Sequence, residues 1–134
     1  MSEARDKAVQ EFVDAWNRRD LDSALELVDE DFEYVNPPNA MEPGTRRGIE
    51  GVTTVLTKQW EGLADARLQL VRSHERADQM ITETLLSRGM PDSTARLEVL
   101  AVMRWTFEGD RLVRCEVLGA GSSFNDALAE AGLG

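Results

Sequence analysis

The sequence predicts a single α+β domain in which three helices come first and a mainly antiparallel sheet follows. Apolar residues recur at helical spacing through most of the first 61 residues, whereas from residue 65 onward they lie in long extended segments separated by short turns. The 134 residues are enough for one hydrophobic core without disulfides or a structural metal. We therefore expect one domain over residues 1–134.

The first two helices are predicted from apolar spacing and one capping residue. A helix from about Ala4 to Arg18 has four large apolar residues on one face, namely Val9, Phe12, Val13 and Trp16. Asp20 is well placed to accept backbone hydrogen bonds as an N-cap, so a second, short helix is expected to follow it directly. The two helices should form a hairpin that covers the sheet.

A short strand and a third helix are predicted next. Residues 31–36 have strand character, and Pro37 and Pro38 end the strand because proline has no amide proton to donate. Residues 37–47 are expected to be an irregular loop. After Gly48, the apolar spacing predicts a helix over residues 49–61 that has Trp60 near its end.

Four further strands are predicted over residues 66–75, 79–89, 95–108 and 111–119, with turn sequences between them. Alternation in the third of these strands places Leu97, Val99, Ala101, Met103 and Trp105 on an inward face, and the last strand directs Val113, Cys115 and Val117 inward. Both faces of the sheet keep some apolar residues, so a homodimer through the outer face is expected. Residues 123–133 should form a short amphipathic C-terminal helix that docks on the domain.

Charge and composition limit the classes of binding partner that we expect for this protein. The formal net charge of −10 disfavours nucleic acids and anionic membrane surfaces and favours a small neutral or apolar ligand. Cys115 is the only cysteine, which excludes an internal disulfide, and the lone His74 gives no metal-binding pattern. The amino terminus lacks the pattern of a secretion signal, so a cytoplasmic protein is expected. We expect neither a metal nor a cofactor.

Several stretches together resemble the SnoaL-like branch of the NTF2-like superfamily, an α+β cone fold. They are FVDAWNRRDL at 12–21, DEDF at 29–32, RGIEGV at 47–52, RWTFEGDRLV at 104–113 and ALAEAGL at 127–133. The resemblance covers residues 4–133 and implies three helices on a strongly curved sheet around a ligand pocket. It says little about activity, because the superfamily hosts isomerases, hydrolases, cyclases and members without known catalysis.

The catalytic groups of the known relatives are absent at the positions that match. Ketosteroid-isomerase-like members use an aspartate base, a tyrosine and a protonated acid, where this chain has Asn36, Phe12 and Met103. Limonene-epoxide-hydrolase-like members use an Asp-Arg-Asp set, where it has Glu83, Leu85 and Val117. SnoaL-type cyclases rely on an acid near the position of Val117. An amide such as that of Asn36 cannot take up a proton as a carboxylate base does.

Glu83 is the candidate catalytic residue that remains. It faces the pocket if Ile81 and Leu85 point inward, and a desolvated carboxylate there would suit general acid or base chemistry. The sequence leaves the opposite register open, in which Glu83 meets solvent and these residues face inward: Met80, Thr82, Thr84 and Leu86. An inward Glu83 that pairs with an arginine for structural reasons is also open.

Seven residues are the candidate ligand contacts. Tyr34 and Asn36 alternate with Phe32 and should share its inward face, where they could orient a ligand or instead satisfy buried backbone groups. Trp16 and Trp60 are expected to form pocket walls, although large helix-face aromatics often belong to the core. The other three candidates are Phe12, Met103 and Val117.

Two classes of function follow from these candidates. One is a cofactor-independent isomerase-, hydrolase- or cyclase-type enzyme that uses general acid-base chemistry on a small, largely apolar substrate. The other is a non-catalytic small-ligand-binding or dimeric accessory domain. A cavity without titratable groups would favour the second class.

Overall fold

The computed structural model describes residues 3–38, 40, 43–63, 65–89 and 94–118. The predicted C-terminal helix lies outside the described residues. The predicted α+β fold class is confirmed, with these elements in order: α1 (Glu3–Arg18), α2 (Leu21–Glu26), β1 (Val28–Asn36), β2 (Gly44–Arg47), α3 (Gly48–Gly62), β3 (Arg67–Arg76), β4 (Gln79–Gly89), β5 (Arg96–Glu108) and β6 (Arg111–Val117).

The six strands form one curved, unclosed sheet in the order β2-β1-β6-β5-β4-β3. β1 runs parallel to β6, and every other neighbouring pair is antiparallel. The first strand in sequence therefore lies beside the last described one. This arrangement brings the helices that flank β1 back over the same sheet as the β3–β6 meander.

β2 corrects the expectation that residues 37–47 are wholly irregular. It pairs with β1 from Asn36 opposite Gly44 to Glu33 opposite Arg47, and all four of its residues are exposed. An exposed strand without apolar alternation leaves no periodic pattern in the sequence. β2 is specified by its pairing with β1, and an ion pair between Arg47 and Glu33 reinforces that pairing.

The apolar face of α1 packs on the sheet as its spacing predicts. Val9, Phe12, Val13 and Trp16 are all buried. The ring of Phe12 meets the ring of Trp105 edge to face, with 5.5 Å between centroids. Such a pair contributes roughly 1 kcal/mol beyond the burial of its area, so Phe12 belongs to the core that joins α1 to β5.

Residues at the end of α1 make hydrogen bonds to the edge strand β3 and to the loop before it. Asn17 bonds Leu68 of edge strand β3 at both backbone groups: its Nδ2 donates to the carbonyl at 2.8 Å, and its Oδ1 accepts from the amide at 2.7 Å. Arg19, at φ 58°, donates through its guanidinium to the carbonyls of Leu63 and Ala66. Asp20 then caps α2, as predicted, by accepting from the backbone amide of Ser23.

A bulge in β6 corrects the predicted facing of its first half. Phe107 pairs with Leu112 while Thr106 pairs with Arg114, so Val113 is an extra residue on the β6 side. Leu112 is consequently buried together with Cys115, and Val113 is only partly buried. The strict alternation assumed from the sequence fails here because a bulge reverses facing on one side of the extra residue.

Candidate functional site

A cavity of about 230 Å³ lies between the helices and the inner face of the sheet. Helix residues contribute one side of its wall, β1 and the following loop contribute the second, and the meander contributes the third. The described lining residues are Trp16, Tyr34, Asn36, Ala40, Gln59, Leu63, Leu68, Leu86, Ala101, Met103 and Val117. Most of this wall is apolar, and its polar side-chain groups come from a tyrosine, two amides and an indole.

Five of the seven predicted ligand contacts lie on this wall: Trp16, Tyr34, Asn36, Met103 and Val117. Whether they bind a ligand stays a prediction. Phe12 does not line the cavity, because it is enclosed in the core beside Trp105. Trp60 also lies off the wall; its ring packs edge to face against Trp16, with 6.5 Å between centroids.

The expected inward orientation of Glu83 is wrong. Its carboxylate accepts a hydrogen bond from Nε of Arg72 at 3.2 Å, on the sheet face opposite the cavity, and it is absent from the described lining. Thr82 and Thr84 are fully buried instead, while Leu86 reaches the cavity wall. The register that the sequence left as an alternative is therefore the observed one.

Hydrogen bonding explains why two threonines can occupy the interior of β4. The hydroxyl of Thr82 accepts from Nε1 of Trp105 at 2.9 Å, and the hydroxyl of Thr84 lies 4.0 Å from the sulfur of Met103. Each hydroxyl has a partner, so burial costs little. Threonine suits either face of a strand, which is why alternation alone does not decide where Glu83 points.

Sequence reasoning missed Gln59 as a wall residue. It lies beside Trp60 near the end of α3, in a region where the chain looks like an ordinary polar helix surface. Its Oε1 accepts from Nε1 of Trp16 at 2.9 Å, and its Nε2 donates to the hydroxyl oxygen of Tyr34 at 3.4 Å. This chain of hydrogen bonds joins three wall residues from α1, α3 and β1.

Burial keeps the titratable groups in and beside the cavity neutral. Burial raises the pKa of the Tyr34 hydroxyl well above its ordinary value, with a smaller contribution from Cys115 and an opposing one from the Gln59 hydrogen bond. Burial likewise raises the pKa of the Cys115 thiol, which lies behind the wall. No aspartate, glutamate, lysine, arginine or histidine occurs among the described lining residues. The described wall therefore carries no formal charge.

The remaining candidates for special chemistry lie at the surface or in the core. His74 is exposed on β3, and Cys115 is a buried free cysteine. Within the described ranges, no three histidine, cysteine or carboxylate side chains are grouped so that they could hold a metal ion. No described helix has both the length and the apolar character needed to cross a bilayer.

The sequence profile of the SnoaL-like domain matches residues 9–115, most of the chain. The protein therefore belongs to the SnoaL-like family, and its solved structural neighbours are NTF2-like, ketosteroid isomerase-like and polyketide cyclase proteins, as the sequence resemblance implied. A search of curated proteins found no match.

Similar solved structures extend over nearly the whole chain. TerC, co-crystallised with polyporic acid, is 19% identical with a TM-score of 0.77, and the match covers 98% of each chain. A protein of ketosteroid isomerase-like fold from Catenulispora acidiphila DSM 44928, in complex with trimethylamine, is 17% identical with a TM-score of 0.70, over 95% of this chain and 93% of the other. A Sinorhizobium meliloti protein provisionally assigned as a polyketide cyclase is 17% identical with a TM-score of 0.70, over 87% of this chain and 100% of its own. At these identities the likeness establishes the fold.

Proposed function

We propose that the cavity binds a small, neutral, largely apolar molecule and that this binding is the function of the domain. The observation that carries the proposal is the wall itself, which is apolar except for hydroxyl, amide and indole groups and has no formal charge among its described residues. Pockets of this kind hold ligands through buried apolar area and orient them with a few polar groups. Two structural neighbours that hold small organic molecules, polyporic acid and trimethylamine, support a ligand-binding use of the fold.

The size of the cavity sets the scale of the ligand. A dry apolar cavity of roughly 150 Å³ accepts benzene, so about 230 Å³ suits a bicyclic molecule. Such a molecule buries roughly 200 Å² of apolar surface, which corresponds to about 5 kcal/mol and to a dissociation constant of roughly 0.1–1 mM. Natural ligands that also use the polar groups would bind more tightly.

The alternative is an isomerase-, hydrolase- or cyclase-type enzyme, which needs a group that exchanges a proton beside the substrate near neutral pH. Glu83 does not support this function, because it pairs with Arg72 away from the cavity. Tyr34 is the titratable side chain of the described wall, and burial moves its pKa further from neutrality. The wall thus favours binding over acid-base catalysis.

A charge series of related molecules tests the proposal. Isothermal titration calorimetry with 1-indanone (neutral), 1-aminoindane (cationic) and indane-1-carboxylate (anionic) should give saturable binding of the neutral molecule and at least about tenfold weaker binding of both ions, because an unpaired charge in an apolar site is costly. Equal binding of the three molecules, or no binding of 1-indanone, would contradict the proposal.

Matched variants test whether 1-indanone binds in this cavity. Ala101→Phe should fill the cavity and abolish 1-indanone binding, because Ala101 lies on the wall. Val99→Phe changes the same face of β5 two residues away, at a side chain that is 47% exposed and off the wall, and should leave binding intact. Glu83→Gln should also leave the affinity for 1-indanone unchanged. A loss of affinity in that variant would support the hypothesis that Glu83 acts at the binding site.

We also propose that a second copy of the chain covers the outer face of the sheet, defined here as the face opposite the cavity. Leu100 on this face is 55% exposed and pairs with Leu85. Two ion pairs lie on the same face, Arg72 with Glu83 at 3.2 Å and Arg104 with Glu116 at 3.9 Å. Because these charges are already paired, two outer faces can approach each other despite the net charge of −10.

Sedimentation velocity tests this association. The wild type should sediment as a dimer and Leu100→Asp as a monomer. Leu97→Asp is the matched control, since Leu97 is 40% exposed on the opposite face of the same strand, and it should remain dimeric. A monomeric wild type, or equal dissociation by both variants, would refute the outer-face interface.

A further inference from the structure

The hydrogen bonds between Trp16, Gln59 and Tyr34 determine which way each polar group points. An indole nitrogen can only donate, so the group of Gln59 that faces Trp16 at 2.9 Å must be the carbonyl oxygen. This assignment turns the Gln59 amide nitrogen toward the hydroxyl of Tyr34, 3.4 Å away. The reversed amide would place two donors against each other.

The direction of the amide decides the role of the Tyr34 hydroxyl. An amide nitrogen has no lone pair available for hydrogen bonding, so Tyr34 accepts from Gln59 and cannot donate to it. Among the described residues, the bond from Gln59 is the one hydrogen bond that the Tyr34 hydroxyl makes. Its proton is therefore available to a ligand in the cavity that Tyr34 and Gln59 both line.

We propose that Gln59, oriented by Trp16, fixes the Tyr34 hydroxyl as a hydrogen-bond donor, so that the cavity selects neutral ligands that carry an acceptor such as a carbonyl oxygen. This inference rests on the proposed binding function and adds the chemical class of the ligand. Gln59 is a specificity-determining residue that acts through Tyr34. Burial, which raises the pKa of Tyr34, keeps the hydroxyl protonated across the physiological range.

The energetic basis of the selection is the cost of an unmade hydrogen bond once a ligand has displaced water from the cavity. A buried hydroxyl without an acceptor loses its hydrogen bond to water when an apolar ligand fills the cavity, whereas a carbonyl ligand replaces that bond. An N–H ligand gains little at Tyr34, because Gln59 already donates a hydrogen bond to that oxygen. The expected discrimination at this one group is about tenfold.

Three bicyclic probes of similar size separate these cases: 1-indanone, which only accepts; indole, which only donates; and indene, which does neither. Calorimetry with the wild type should show 1-indanone binding about tenfold more tightly than indene. Tyr34→Phe should weaken 1-indanone by about tenfold and leave indene and indole within about twofold. Because the phenyl ring is retained, this variant should preserve the cavity wall.

Gln59→Met tests the positioning role separately. The variant keeps the length of the side chain and removes the amide donor, which frees the acceptor side of the Tyr34 oxygen. Indole should then bind about threefold to tenfold more tightly, while indene stays within about twofold. A Gln59 that acted only through packing would change the affinities of all three probes by a similar factor, and that result would overturn its role in specificity.

The outcomes distinguish this inference from the proposed function. Equal affinity of the wild type for 1-indanone and indene, unaffected by Tyr34→Phe, would overturn acceptor selection while leaving small-molecule binding in place. Failure of all three probes to bind the wild type would overturn the proposed function together with this inference. If a variant fails to fold, the 1-indanone to indene ratio of the wild type still decides the question of acceptor selection.

Discussion

Replacing Asn17 with alanine should destabilise the domain far more than an average surface substitution. The Asn17 amide satisfies both backbone groups of Leu68 on β3, the edge of the sheet that the described strands form, where none of those strands lies on the outer side to do so. Removing two hydrogen bonds of about 1 kcal/mol each gives a loss of about 2 kcal/mol in the free energy of unfolding. At this chain length the loss lowers Tm by roughly 8 °C.

Urea unfolding followed by circular dichroism measures the effect. Gln10→Ala is the matched control: Gln10 also makes an amide hydrogen bond from α1, but its partner is the exposed Asp14 of the same helix, so its loss should cost less than about 0.5 kcal/mol. If Asn17→Ala lowered the free energy of unfolding no more than the control, the hydrogen bonds of Asn17 would not stabilise the contact between α1 and β3. The exposed edge of β3 should also make Asn17→Ala more prone to aggregate on heating.

Three further predictions concern capping, burial and backbone strain. Asp20→Ala should lower Tm at neutral pH. The hydrogen bonds from Ser23 lower the pKa of the Asp20 carboxyl in the folded protein, so the stabilisation is complete above the unfolded pKa of about 4 and is lost as the pH falls through the lower folded pKa. The Tm difference should therefore shrink below about pH 4, and a pH-independent difference would contradict the cap. Thr82→Val leaves the buried indole N–H of Trp105 without its acceptor and should cost about 1–3 kcal/mol in urea unfolding, and a neutral result would refute the importance of this bond. Ala77→Gly relieves a residue at φ 57° in the β3–β4 turn and should raise stability by about 0.5–1 kcal/mol, while a loss of stability would show that the turn is unstrained.

The elements that could be predicted from the sequence are those with strong periodicity or explicit stop signals. α1 and β4 were expected nearly at their observed bounds, and α2 was expected to start directly after Asp20, because apolar spacing, the Asp20 cap and the turn residues act locally. β2 and the Val113 bulge depend on how each segment pairs with a neighbouring strand, β1 and β5 respectively, so no apolar periodicity within their own residues encodes them. Periodicity reveals which residues alternate but not where a register shifts.

The candidate site likewise has residues that could be predicted from the sequence and residues that could not. Tyr34 and Met103 were predicted on the wall because they belong to strongly alternating strands. The facing of Glu83 was mispredicted because the threonines beside it are compatible with either environment, and their burial is decided by partners on β5. Gln59 was missed because its role arises from contacts 43 and 25 residues away in sequence, with Trp16 and Tyr34.

A titration observed at two methionine methyl groups tests most directly whether the cavity holds a neutral small molecule. Met103 lies on the cavity wall, whereas Met80 is fully buried in the core and off the wall. With methyl-labelled methionine, assigned by Met103→Leu and Met80→Leu, addition of 1-indanone should move the Met103 resonance to a saturating value and leave that of Met80 nearly unchanged. A Met103 resonance that does not move at saturating 1-indanone, or equal movement of both resonances, would contradict ligand binding in this cavity.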